Sequence, residues 1–600
     1  MAADRIIRRD FLNRTLLGTG AALLRMPAPA FAAADTYTGY AGVGDYARSN
    51  GDPWPVVEVG HRMRDNAYAS ATQHAVDTGE QFDLIVLGAG LSGLGAAYYY
   101  RKAQGGSRRC LILENHTMFG GHCKQNEFIV KGHRLMGPQA SNDFGVPREG
   151  SGNQMDELFR ELNIPRSFQW VAPSPKLEGL RIARDNYSHM DGINDTQIDV
   201  GYFFGGKWAH NIFSNDLDGA PFSDKLKRDL IKWRTTTGGS EQVQRHLDSI
   251  TYRQYIEDEL GLDPAVTKFA EPVIGLICGA SPDAVCARAG HNLVRPMNSP
   301  AGISFPGGNT TFARHLVKSL IPASMPGELN FSDILNNPVD FKALDDKSSP
   351  TRIRLGATVI RVEHSGAGVS VIYESGGKLY RTRAKAVVSA AAGWANRHIL
   401  ADLPAEMRTA YDEFVYAPAL SVNVALTNWR FLFKLRAPAV RYFDGEFGWS
   451  CNIRQSMTSG AFSPPLDPDR PVVLTFYTGI YDPGRPAKDQ GEAGRKKLLS
   501  TSYAEYERTI RKQMTSLFAD AGFKASADIA GIVLNRWGHA RVIQPPGFYY
   551  GRNGQPSPRQ IVERGYEKIA IAHAELNGHQ NATGALAQGK RAAEQILSMG

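Results

Sequence analysis

Apolar positions fall into alternating blocks of strand-like and helix-like spacing. Residues 82–87 form an apolar run broken only by Asp83 and followed by glycines, which predicts a strand buried on both faces. A glycine turn, a helix over 92–104 and a second apolar run at 110–113 then read as a beta-alpha-beta unit. Residues 150–270 read as mainly helical, with aromatic and charged positions alternating around Trp208, Trp233, Tyr252 and Tyr255. Short strand-like runs return at 351–355, 358–363, 369–373 and 386–389, and again at 420–426, 440–443 and 472–477. A helix is predicted over 500–519. Near the end, 569–575 reads as a short strand, followed by a polar loop and a helix from 582 to 596. No internal repeat is visible.

The first thirty-four residues follow a different rule. Arg8-Arg9-Asp10-Phe11-Leu12 precedes a weakly apolar stretch at 15–24 and the small residues of 29–34, the pattern of a twin-arginine export signal cleaved near 32–34. The apolar stretch is too short to span a bilayer, so no stable membrane anchor is expected. Such a signal implies a periplasmic protein exported in the folded state by the twin-arginine machinery. Removing 1–34 takes away five arginines against two aspartates and brings the net charge from +8 to +5. The remaining basic residues form no run interleaved with aromatics, so nucleic acid is not an expected partner. The five cysteines are widely spaced, without a CxxC; Cys278 and Cys286 either form one local bridge or remain free buried thiols.

The whole is α/β plus α+β: a Rossmann-like dinucleotide-binding domain with an interleaved substrate domain of mixed sheet and helices. The expected parts are an N-terminal extension at 35–80, with a helix within 58–78, the first part of the dinucleotide-binding domain at 81–149, and a mainly helical cap at 150–300. The second dinucleotide-binding part is expected at 301–400 and the second substrate-domain part at 401–530. An active-site strand and the closing part of the dinucleotide-binding domain occupy 531–600. Length alone asks for such a division, since a single core stops growing well below 600 residues.

The chemistry starts at Gly88, Gly90 and Gly93. Directly after a strand and at the start of a helix, this spacing gives a tight turn, backbone approach to a pyrophosphate and close helix-strand packing. Glu114 ends the second strand, where a carboxylate can accept both hydroxyls of an adenosine ribose. Gly120, Gly121 and His122 follow as a second flexible stretch suited to the diphosphate or ribityl arm of FAD, and the start of the last helix can meet the pyrimidine edge or ribityl chain of a flavin. His122 either touches the flavin or is tied to the backbone.

These pieces carry a resemblance. GAGLSGLGAA at 88–97, LILENHTMFGGHCKQNEF at 111–128, FPGGNTTFARHLVKSLIP at 305–322, RLGATVIRVEH at 354–364, VVSAAAG at 387–393 and AHAELNGHQNATGALAQGKRAA at 572–593 resemble the flavin-containing amine oxidoreductases. The similarity is closer to bacterial spermidine dehydrogenases with a twin-arginine signal and spans essentially the chain after the leader. It implies FAD, with Gly307 and Gly308 as the family's pro-gly-gly turn, Val359 on the strand covering the adenine side, and Glu575 and Ala585 in the closing flavin motif. The family carries glycine before that acid, where this chain has Ala574.

The implied reaction is oxidation of a polyamine, spermidine, at a C–N bond by hydride transfer to flavin N5. Imine hydrolysis then gives an aminoaldehyde and 1,3-diaminopropane, and electrons leave to a non-oxygen, periplasmic acceptor. Some members also hold haem b, for which His61 is the candidate axial ligand. Candidate substrate-facing residues are Trp537 as a wall, His539 as a proton exchanger, Glu271 as an ammonium anchor and Tyr477 as an opposite wall. Two other readings stand beside this one: a flavin-dependent desaturase of an apolar substrate, which would open on an apolar mouth without charged anchors, and a non-catalytic flavin-binding export or assembly factor.

Overall fold

A computed structural model describes residues 36–190, 197–236, 238–293 and 301–599. The expected export signal at 1–34 lies outside the described residues.

The extension begins the fold as part of the second domain. Gly39 forms a bridge with Val533, Tyr40 N–H donates to Ile532 O at 3.1 Å, and Asp52 N–H donates to Arg536 O at 2.7 Å. Its helix α1 (Trp54–Arg64) has Pro53 as its N-cap and Pro55 in its first turn, where a fixed φ is suited, and ends earlier than expected.

Strand β1 (Val76–Leu87) is twice as long as its apolar run. Its first half is polar and exposed, so apolar spacing reveals only the six residues that enter the core. Helix α2 (Leu91–Gln104) and strand β2 (Cys110–Leu113) complete the beta-alpha-beta unit, with Leu84 to Leu87 pairing in parallel with Cys110 to Leu113. Strand β3 (Lys378–Ser389) lies on the other side of β1, Val86 opposite Val388. The sheet order, by residue range, is 351–354, β2, β1, β3, 368–375, 358–365, with the short strand Ile569–Ile571 pairing the end of β3. Strands far apart in sequence thus form one Rossmann-like layer.

The second domain is a seven-stranded sheet whose edge is β4 (Ile529–Val542), paired with Tyr416–Leu426, and α3 (Pro264–Ile277) packs on the next strand, Val472–Gly479. The cap expected to be mainly helical also supplies two strands of this sheet, Val200–Phe204 and Lys207–His210; the first pairs in parallel with Ala439–Tyr442. Their neighbouring Gly205-Gly206 turn is the local signal, and the aromatic residues around it mask the strand period. The five cysteines are free and buried, so Cys278 and Cys286 form no bridge. No described helix is long and apolar enough to cross a membrane.

Two helix N-termini are drawn to one edge of the first sheet. Helix α4 (Gly393–Ile399) follows the end of β3, and the last helix, α5 (Ala582–Ser598), lies against α2. A β-carbon on Gly589 would lie 2.3 Å from Ser92 O, and one on Gly93 would lie 1.9 Å from Gly88 O. Neither contact admits a side chain. Gly93→Ala and Gly589→Ala each therefore lower unfolding stability by about 1–3 kcal/mol, the range for forced overpacking. Urea unfolding checks this, and unchanged midpoints would contradict the packing argument.

Candidate functional site

A cavity of about 1060 Å³ runs between the two domains. At one end lie Gly88, Gly90 and the carboxylate of Glu114, whose Oε2 accepts Ala89 N–H at 2.7 Å and whose Oε1 accepts His116 N–H at 2.9 Å. The turn and the second strand are thereby locked, with the carboxylate on the cavity wall. Gly121, at φ +55, faces Gly90 so closely that a β-carbon on it would lie 3.2 Å from Gly90 Cα. Gly120, at φ +114, adds the second left-handed turn. Gly93 lies beneath the turn and does not reach the cavity.

The wall continues past Asn142 and Asn309. Asn142 is fully buried and neither its Nδ2 nor its Oδ1 has a partner; Asn309 Nδ2 donates to Ser141 Oγ and Asp143 O, but its Oδ1 is unpartnered. Leaving a buried polar atom unmet costs about 1–3 kcal/mol, so these atoms need water or a ligand in the cavity as partners. The pro-gly-gly turn itself serves a different purpose. A β-carbon on Gly307 would strike Gln125 Oε1, and one on Gly308 would lie 2.6 Å from Ser141 O. Both glycines pack behind the wall and deliver Asn309 to it.

Trp537, on β4, reaches the cavity nearly buried, its indole N–H donating to Gln139 O at 3.0 Å. His122 stands edge-on to it, ring centroids 4.4 Å apart. Burial pushes the His122 imidazole down to about 3, against the opposing charge of Asp52, so it is neutral at physiological pH. Behind Trp537 lies a buried polar cluster that joins His116 and Lys124, from the 111–128 stretch, to the extension. Lys124 Nζ donates to Ser49 Oγ at 2.8 Å and Gly51 O at 3.0 Å, and lies 2.8 Å from His116 Nδ1, while His116 Nε2 is 3.5 Å from Asp52 Oδ1. Asp52 Oδ2 accepts Gly538 N–H at 3.0 Å. Burial raises the Asp52 carboxyl, but His116 and this N–H hold it below its ordinary value. The extension therefore clamps the tryptophan strand.

The other expected substrate-facing residues separate. Tyr477 lies behind Tyr187, with rings 4.9 Å apart and both hydroxyls donating to Ala140 O; Tyr187, missed in the sequence, is the one on the cavity. Glu271 does not line the cavity. On the same helix α3, Val273 and Ile277 do, one turn apart, which turns Glu271 toward Tyr481, whose hydroxyl donates to Glu271 O. His539 reaches a side lobe, stacked on Trp394 at 4.3 Å. Burial pushes it down to about 3, too low to exchange a proton near neutrality. His61 lines the same lobe from α1, half-buried, its imidazole lowered first by burial and then by Arg64. Among the described residues, no three His, Cys, Asp or Glu side chains group as metal ligands.

At the closing end, Val359 and Ala585 line the cavity, and Asn581 Oδ1 caps α5 by accepting Gly584 N–H at 2.7 Å. Glu575 is fully buried one layer back. Its Oε1 accepts Gly393 N–H at 2.7 Å, so it fixes the 391–393 turn, and the neighbours His573 and Ala574 face the cavity instead.

Residues 86–162 match the family model of an NAD(P)-binding Rossmann-like domain. No match to a curated protein sequence is found. Among solved structures, putrescine oxidase bound to putrescine is similar with a TM-score of 0.53 and 15% identity, over 86% of this chain and 99% of that one. Cyclohexylamine oxidase from Brevibacterium oxydans IH-35A is similar with a TM-score of 0.54 and 15% identity, over 86% and 99%. A candidate protoporphyrinogen oxidase from Exiguobacterium sp. 255-15 is similar with a TM-score of 0.54 and 13% identity, over 87% and 99%. The architecture, a Rossmann-like domain with a mixed α/β substrate domain, is that of the amine-oxidase fold.

Burial pushes Lys124 down to about 7, with Asp52 and then Glu114 opposing. Between about 7 and the ordinary lysine value the unfolded chain then holds more protons than the folded one, so the Lys124 contribution makes stability rise with pH in that window. The stability of the wild type relative to Lys124→Met therefore grows from pH 7 to 10, with a limiting slope of roughly 1.4 kcal/mol per pH unit. A pH-independent difference in urea unfolding would contradict a buried, depressed lysine.

Proposed function

We propose that this chain binds FAD non-covalently in the interdomain cavity and oxidises an amine. The observation that carries this reading is the continuity of the wall, from the Glu114 carboxylate through the facing glycines Gly90 and Gly121, the unpartnered amide of Asn142 and the unpartnered Oδ1 of Asn309 to Trp537. Glu114 takes the adenosine ribose, the N–H groups opening α2 take the diphosphate, Gly120 and Gly121 let the ribityl arm pass, and Val359 covers the adenine side. The start of α5 at Ala585 meets the flavin ring. When bound, the flavin supplies the two-electron acceptor for a substrate C–H bond, N5 being the atom that takes the hydride.

The chain itself provides a shaped, largely dry chamber. Trp537 and Tyr187 wall it, and Met190, Val273 and Ile277 exclude water from the carbon chain of the donor. His122 is neutral beside them and does not repel an ammonium, but neither can it accept a proton for long near pH 7. The amine is therefore selected as its free base or gives its proton to solvent. Within this reading the donor is a polyamine, spermidine, whose imine is hydrolysed to an aminoaldehyde and 1,3-diaminopropane. Of the carboxylates on the cavity wall, Asp52 and Glu114 serve backbone N–H groups, and Asp143 and Glu492 are the others. A wall carrying these charges favours an amine over an apolar desaturation substrate, and an open chamber beside Trp537 favours catalysis over a purely structural flavin.

Haem b belongs to the same proposal through the side lobe. His61 would offer an imidazole there and Arg495 and Lys496 would face propionates, while Arg64 and Arg397 are already paired with Asp65 and Asp412, each at 2.7 Å. Export through residues 1–34 to the periplasm, and electron delivery to an acceptor other than oxygen, complete the reading.

Two outcomes follow. Glu114→Ala weakens FAD binding about tenfold or more, roughly 1.4 kcal/mol, by fluorescence titration of the apoprotein; unchanged affinity would remove Glu114 from the site. Under anaerobic conditions spermidine bleaches the oxidised flavin bands, and a Soret band, where haem is bound, disappears in His61→Ala. A flavin left oxidised by spermidine but bleached by another amine would replace the donor, and one left oxidised by every amine would sink the amine reading.

A further inference from the structure

Arg541 stands at the end of β4 on the cavity wall. Its Nη1 donates to Gln580 O at 3.0 Å, Val542 N–H donates to Gln580 Oε1 at 2.8 Å, and Gln544 Nε2 donates to Gly578 O at 3.1 Å. The strand end and the loop before α5 are thus one rigid piece, and the guanidinium is held beside the start of that helix. This is the side-chain hydrogen bond Arg541 makes within the protein, and among the described residues it forms no ion pair. Four of its five N–H donors remain for the cavity.

The groups within its electrostatic reach are neutral near pH 7. His122 is pushed down to about 3 and His579 to about 4, both chiefly by burial. The Cys278 thiol is pushed up to about 12 and the Tyr187 hydroxyl is raised, again chiefly by burial. Asp52 acts on His122 and Asp143 on Tyr187, and both carboxylates line the same cavity. Neither forms an ion pair with Arg541. A permanently charged fork without an anion is an incomplete arrangement in a space walled by Tyr187, Val273 and Ile277.

We propose that Arg541 is the anion-recognising group of this cavity, receiving a planar anion with two acceptor atoms. A bidentate guanidinium matches that shape, as a point charge would not. The anion has two sources. One is a carboxylate on the substrate, which would make the donor an amino-carboxylate in place of a polycation. The other is the N1–C2=O edge of the flavin, which gains negative charge when electrons enter the ring; this source rests on the FAD reading above.

Full-length, FAD-loaded wild type, Arg541→Lys and Arg541→Met, titrated separately with sulfite and with benzoate, test the proposal. Sulfite uses its sulfur lone pair to form an S–N5 bond, and the displaced electron pair moves onto the N1–C2=O edge, so its affinity reads the cation there. Benzoate reads a carboxylate subsite directly. The expected result is a tenfold or greater loss of affinity in Arg541→Met for at least one ligand, with Arg541→Lys intermediate, affinities being compared on the flavin-loaded fraction. Loss for sulfite alone assigns the flavin edge, loss for benzoate alone assigns a substrate carboxylate, and loss for both assigns both. Equal affinities in wild type and Arg541→Met, or a wild type that binds neither ligand, overturn the proposal. Should the wild type take up no FAD, the flavin reading fails by itself, and calorimetric titration of the flavin-free proteins with benzoate still decides whether Arg541 binds an anion.

Discussion

Everything at the cavity depends on two contacts that leave no room for a β-carbon. Gly93 presses on Gly88 O and Gly589 presses on Ser92 O, and together they pull the openings of α2 and α5 to one edge of the first sheet. Helix openings carry unsatisfied N–H groups and the positive end of the helix dipole, so the edge favours ligands rich in acceptor atoms. The second helix comes from the other end of the chain, nearly five hundred residues later. Closing so long a loop costs only slightly more entropy than closing a short one, which lets the fold complete its site from its two sequence extremes.

The electrostatics of the chamber are arranged by burial more than by pairing. His122, His539 and His579 are held neutral, Lys124 behind Trp537 is pushed down to about 7, and Arg541 within the wall is a cation fixed by geometry. The extension is essential to this order. It contributes Ser49, Gly51 and Asp52 to the cluster that holds Lys124 and Gly538, and it adds hydrogen bonds along β4. A segment that resembles a leader-proximal tail is therefore a structural side of the chamber.

The dinucleotide end was legible because its physics is local. Gly88, Gly90, Gly93 and Glu114 lie within one strand-turn-helix-strand unit, and periodicity located that unit to within a residue at α2 and β2. The polar half of β1 was invisible, since its side chains face solvent, and the two cap strands were hidden by flanking aromatic residues. Of the residues expected to face the substrate, Trp537 and His539 line the cavity. Glu271 and Tyr477 have suitable chemistry but sit one layer away, because α3 turns Val273 and Ile277 inward and Tyr187 stands before Tyr477. Asn142, Tyr187 and Arg541 carry no motif; Tyr187 is placed by Ala140 and Tyr477, and Arg541 by Gln580, contacts that spacing along the chain does not encode.

The central claim is that this cavity holds one non-covalent FAD extended from Glu114 to Trp537. The most direct measurement is the identity and stoichiometry of cofactor released from the purified, heat-denatured protein, before and after incubation with FAD. The account predicts one FAD per chain, wholly in the supernatant; a protein that takes up no flavin, or one whose flavin stays with the precipitated chain, would contradict it.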